Sequence, residues 1–227
     1  MATTVTGTRT KTSPALSGKG FPGPGNGSPK RNGGGDLFSG HSAASRYRVG
    51  TWVMIASISM FFTALSSAYI VRAASATDWQ PITMPRILWL STALIVLSSF
   101  TIETAKRKLK SLLAGEYMKW LLLTGILGVG FLSSQLWAWQ QLRHQGVFLS
   151  SNPHSSFFYL LTATHGVHLL GGLLALLYLL FRTRQKADDV VAVAKRQARA
   201  DAVGIYWHFM DGLWIYLFLL LFLWRTQ

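Results

Sequence analysis

Residues 156–181 read SFFYLLTATHGVHLLGGLLALLYLLF, a stretch without a single Asp, Glu, Lys or Arg. Wound as a helix, it is long enough to cross the roughly 30 Å hydrocarbon core of a bilayer. No strand alternation competes with that reading, and lipid requires backbone groups to be satisfied within each helix. Four further apolar runs lie outward of it, at 49–71, 85–104, 118–140 and 203–224. The breaks between runs fall at Asp78, Pro81 and Pro85, at Lys106 to Lys119, at Asn152-Pro153, and at Arg182 to Asp201. The pattern predicts an all-α polytopic membrane protein with five transmembrane helices in a bundle, occupying residues 46–227. Residues 1–45 are a different material, with ten glycines, four prolines and a single acid, Asp36. They carry too little apolar surface to offset chain entropy, so a disordered, basic Gly/Pro/Ser-rich tail is expected there.

The chain is 50% hydrophobic and has no cysteine. That excludes a disulfide framework, a thiolate metal site, an iron–sulfur cluster and c-type haem attachment. The net charge of +14 does not point to nucleic acid, because the cations lie between the apolar runs. Of the 22 Lys+Arg, the tail with the adjoining Arg46 and Arg48, the second connection and the fourth carry 7, 5 and 6, whereas the opposite side holds only Arg72, Arg86, Arg143 and Arg225. The positive-inside rule then places the N-terminus in the cytoplasm and the C-terminus on the outer, periplasmic side.

Small residues recur at helical spacing: Ser59, Thr63 and Ser67 in the first run, Gly125, Gly128 and Gly130 in the third, and Gly166, Gly171, Gly172 and Ala175 in the fourth. They are expected where helix backbones approach one another. Ionisable groups inside a span are costly and therefore candidates for function. His165 and His168, three apart, are expected on one helix face, and so are His208 and Asp211. Gln135 adds a neutral polar group. Three readings compete for these residues. They could form a metal or haem site with His208 as a third ligand, part of a proton relay, or a polar seam that fixes helix register or contacts a partner. Arg182, Arg184 and Lys186 are placed to attract anionic lipid headgroups. No Gly-rich phosphate loop, nucleophile elbow or paired carboxylates are present.

HGVHLLGG (165–172) and YWHFMDGLWIYLF (206–218) resemble the two signature stretches of subunit III of the haem–copper oxidases. Tyr206, Trp207, His208, Phe209, Asp211 and Trp214 match the second signature. Asp201 stands where that family often has Glu, and Ile205 replaces an aromatic. RYRVGTWVMIASISMFFTALSSAYIVR (46–72) is similar to the family's first segment at Phe61, Phe62, Ala68 and Tyr69. SSQLWAWQQL, with Gln135, is similar to the third, and Gly146 to Phe158 to the short outer loop.

The resemblance implies the short five-helix bacterial form of a non-catalytic subunit in the bacterial cytoplasmic (inner) membrane. Such a subunit has no catalytic, cofactor or metal residues of its own, and haem and copper are expected on partner subunits. It packs on subunit I as main contact, beside other oxidase subunits, in a complex that reduces oxygen and pumps protons in aerobic respiration. It stabilises subunit I, supports proton uptake and binds phospholipid. The candidate interface or lipid residues are His165, His168, Asp201, Tyr206, Trp207, His208, Asp211, Trp214 and Gln135. Many members carry a Glu before the Phe-Phe pair of the first segment. Ile58 stands there in this chain, which removes a carbodiimide-sensitive carboxylate from that span. Two alternatives are an accessory subunit of nitric oxide reductase with the same fold and, in another class, a free-standing membrane cytochrome b or transporter.

Overall fold

The computed structural model describes residues 35–75, 85–111, 113–148, 152–183 and 190–223. The tail up to residue 34, the Asp78–Pro81 break, and Arg184, Lys186 and Arg225 lie outside the described residues.

Five helices follow in order: α1 (Gly35–Ser75), α2 (Ile87–Lys110), α3 (Ala114–His144), α4 (Pro153–Thr183) and α5 (Val190–Leu223). Each contains a segment long and apolar enough to cross a membrane. The helices overrun the apolar runs because hydropathy marks only the part in lipid, whereas helix-forming residues carry the winding on into the polar zone. α5 gains VVAVAKRQARADA in this way. α1 begins at Gly35, so the expected boundary at residue 46 falls inside a helix.

The helix ends follow local chemistry. Gly146 closes α3 at φ +76°, a conformation open to glycine. Its N–H bonds the Arg143 carbonyl, and the Val147 N–H bonds that of Leu142, as in a Schellman motif. α4 opens with a reciprocal cap: Asn152 Oδ1 accepts from the Ser155 N–H at 2.9 Å, and Ser155 Oγ accepts from the Asn152 N–H at 3.2 Å. Pro153 takes the first helical position, where its missing N–H costs nothing.

Helices α2 to α5 pack in an up-and-down ring, α2 on α3, α3 on α4, α4 on α5 and α5 on α2, while α1 lies on the α4–α5 edge. α5 is the most buried span, since it meets α1, α2 and α4. The core runs along it as Trp207, Met210, Trp214, Leu217 and Leu221. Elsewhere large apolar side chains point outward, among them Met60, Phe100, Leu174 and Phe181. That distribution suits a protein whose solvent is lipid.

The expected small-residue seam in α1 needs correction. Ser59 is half-buried and Thr63 and Ser67 are exposed. The inward stripe is Ile58, Phe62, Ser66 and Tyr69. Bulky residues face inward there because α1 packs against the α4–α5 groove rather than against one closely apposed helix. Close approaches lie at Gly128 and Gly172, both against Trp207, and at Gly204, against the Lys106 side chain.

Candidate functional site

The two signature stretches lock together. α4 and α5 are antiparallel, so Gly172 lies opposite Trp207, and His165, two turns away, lies opposite Trp214. A methyl group on Gly172 would sit 3.1 Å from Tyr206 Cε1 and 3.4 Å from the Trp207 ring. Gly172 is glycine because two aromatic rings occupy the space a side chain would take. From α3, Gly128 closes on the other side of Trp207, with 2.9 Å left for a Cβ. The Tyr206 hydroxyl donates to the His168 carbonyl at 2.8 Å.

Three tryptophans are held by one device. Trp207 Nε1 donates to Ser98 Oγ (2.9 Å), Trp214 Nε1 to Thr92 Oγ1 (3.1 Å) and Trp139 Nε1 to Thr162 Oγ1 (3.2 Å). Each hydroxyl sends its own proton back to a carbonyl of its helix, on Ile95, Leu88 and Phe158 respectively. An indole can only donate, and a hydroxyl that has given up its proton can still accept, so the match is complete. Two further hydroxyl pairs, Ser91 with Ser134 (2.7 Å) and Thr101 with Thr124 (2.8 Å), join α2 to α3. Such bonds contribute on the order of 1 kcal/mol each within a membrane. These α2 hydroxyls were not singled out by sequence reasoning. The signal for them was the recurrence of Ser91, Thr92, Ser98 and Ser99 on one side of the second run.

The three spanning histidines have different neighbours, although His165 and His168 lie three apart on α4. His165 is fully buried, with its ring 5.8 Å from Phe131 and 5.4 Å from Trp214. His168 turns toward α1, 5.7 Å from Phe62, and its Nδ1–H donates to the Thr164 carbonyl at 2.8 Å. His208 meets α2, with Nδ1 2.6 Å from Ser99 Oγ and Nε2 3.7 Å from Glu103. An offset of three residues rotates a side chain by about 60°, enough to move it from one helix interface to the next. Among the described residues no three His, Asp or Glu side chains gather to hold a metal ion.

His208 and Asp211 do share a neighbourhood, as their spacing suggested. Glu103, half-exposed, bonds Lys106 at 2.9 Å and faces His208. Ser99 links His208 toward Asp211, which is 4% exposed and lies beside the Ser99 hydroxyl without a formed hydrogen bond. Glu103, His208, Ser99 and Asp211 thus make a polar chain leading inward from one end of the bundle. Gln135 is buried on α3, and neither its amide nor the His165 ring finds a hydrogen-bond partner among the described residues. Asp201 is half-buried two turns before His208 and does not join the chain.

Fold and site together define a five-span membrane protein in which several polar residues bind helix to helix. The family model for cytochrome c oxidase subunit III matches residues 37–226. A protein of Nocardia farcinica named probable cytochrome c oxidase subunit 3 is 35% identical over 175 residues, 75% of this chain and 84% of that one. A Mycobacterium bovis protein of the same name is 32% identical, covering 77% of this chain and 86% of that one. Cytochrome c oxidase subunit 3 of Synechocystis is 28% identical, covering 83% and 80%. The chain belongs to the cytochrome c oxidase subunit III family.

Proposed function

We propose that this chain is a structural, non-catalytic subunit of a bacterial terminal oxidase, with its N-terminus cytoplasmic in the inner membrane. It packs on subunit I beside other oxidase subunits and phospholipid, and haem and copper stay on the partner chains. The observation that carries this reading is what the spanning polar residues do. Tyr206, Trp207 and Trp214 bond across helices, His168 bonds the Thr164 carbonyl of its own helix, and the buried His165 ring packs against Phe131 and Trp214. The relatives' names support an oxidase complex rather than nitric oxide reductase or a free-standing cytochrome b.

The Glu103–His208–Ser99–Asp211 chain is the part suited to supporting proton uptake, since it runs from a half-exposed carboxylate to a buried one. It does so as an accessory. His208→Ala in the assembled oxidase should leave the first turnovers unchanged and shorten the active lifetime during sustained turnover. Loss of the first turnovers in an intact complex would overturn the non-catalytic reading.

A further inference from the structure

At one height in the bundle, all four helices of the ring bring polar side chains together. Ser91 of α2 bonds Ser134 of α3 at 2.7 Å, Trp214 of α5 donates to Thr92 of α2 at 3.1 Å, and Trp139 of α3 donates to Thr162 of α4 at 3.2 Å. These contacts fix where Gln135 and His165 stand. On one side of them lies the Trp139–Thr162 bond, and on the other Leu132 comes within 3.7 Å of the place a Gly166 side chain would occupy. The antiparallel pair α3 and α4 thus carries Gln135 and His165 at the same level. Gln135 follows Phe131 by one turn on the buried stripe of α3, and the Phe131 ring lies 5.8 Å from that of His165. Both side chains therefore face the axis of the bundle, inside a layer whose hydroxyls and indoles are paired.

His165 is 0% exposed and Gln135 is 5% exposed. Gln135 Oε1 and Nε2 and His165 Nδ1 and Nε2 are all enclosed, and none has a hydrogen-bond partner among the described residues. Enclosure also keeps lipid tails and the side chains of other subunits away from them. Buried polar groups in folded proteins are paired with protein or with ordered water, because leaving them bare costs their full hydration. A direct amide–imidazole bond would serve one atom of each side chain and leave the other two orphaned. A neutral imidazole offers one donor and one acceptor, and the amide offers both kinds. That set matches a molecule that donates twice and accepts twice, and a buried water typically makes about three such bonds.

We infer that Gln135 and His165 hold at least one ordered water on the axis of the bundle, which joins α3 to α4 and completes the polar layer. The inference goes beyond the proposed function and is independent of which catalytic subunit is the partner, since it needs only these helices.

The test is a cryo-EM map of the complex in mild detergent, at a resolution that shows ordered water, with the double variant Gln135→Leu/His165→Phe for comparison. Density within about 3.2 Å of both side chains is expected in the natural chain and not in the double variant. A direct Gln135–His165 bond, or no density between the two, would overturn the inference. Unfolding of the full chain in detergent gives a second reading. Gln135→Leu and His165→Phe should each lower the midpoint by on the order of 5 °C, because the group left behind stays buried without its bond. The double variant should lose much less than the sum of the two. Additive losses would show that the two groups share no water and would overturn the inference as well. Failure of a catalytic subunit to co-purify would instead count against the functional proposal, because the midpoints read this chain alone.

Discussion

Trp207 shows how much one side chain decides. It is fully buried, pinched between Gly128 and Gly172, and anchored through its indole to Ser98. Trp207→Phe keeps most of the ring and removes the donor, so the midpoint of unfolding in detergent should fall by an amount equivalent to about 1 kcal/mol. Gly128→Ala places a methyl group 2.9 Å from the indole, inside contact distance. Overpacking of this kind costs about 1–3 kcal/mol, whereas Gly125→Ala, which meets open space, should be neutral in the same assay. The sequence singled out Trp207 and Gly172, which lie in the signature stretches, and Gly128, a small residue of the third run. It could not show that they touch. Contact depends on α4 and α5 running antiparallel in a register that pairs 172 with 207 and 165 with 214, and register is a property of two helices together. The hydroxyls of α2 were harder still to foresee, because Ser and Thr in a membrane helix usually bond their own backbone, as these also do.

At the scale of the element, five helices were legible from hydropathy and charge, for a physical reason: a span must be apolar for about twenty residues and its flanks must not be. The ends were less legible, as the start of α1 at Gly35 and of α5 at Val190 demonstrate. Winding beyond the membrane leaves no hydropathy signal. Local stop signals were readable at the α3–α4 connection, where Gly146 and Asn152-Pro153 end one helix and start the next. Gly146→Ala should destabilise the connection by about 1 kcal/mol, because a side chain disfavours φ +76°. Asn152→Ala should cost a similar amount by removing the cap. Faster protease cleavage between α3 and α4 would register both. In α1, Ile58 is buried in the core beside Phe62. A hydrophobic carbodiimide should therefore leave the peptide spanning 49–71, which contains no carboxylate, unlabelled when mapped by mass spectrometry.

For the whole molecule, the arrangement suits the scaffold proposed above. Several polar groups of the bundle join helices, and large apolar side chains of every helix face outward. Membership of the cytochrome c oxidase subunit III family gives that scaffold its setting. On the proposed function, redox chemistry resides on a neighbouring chain. The most direct measurement is to tag this chain, purify it in mild detergent, identify what accompanies it, and record the visible spectrum before and after the partners are stripped away. A haem-bearing catalytic subunit in equal amount, and a colourless chain once separated, are expected. Haem or copper retained stoichiometrically by the separated chain would contradict the proposed function.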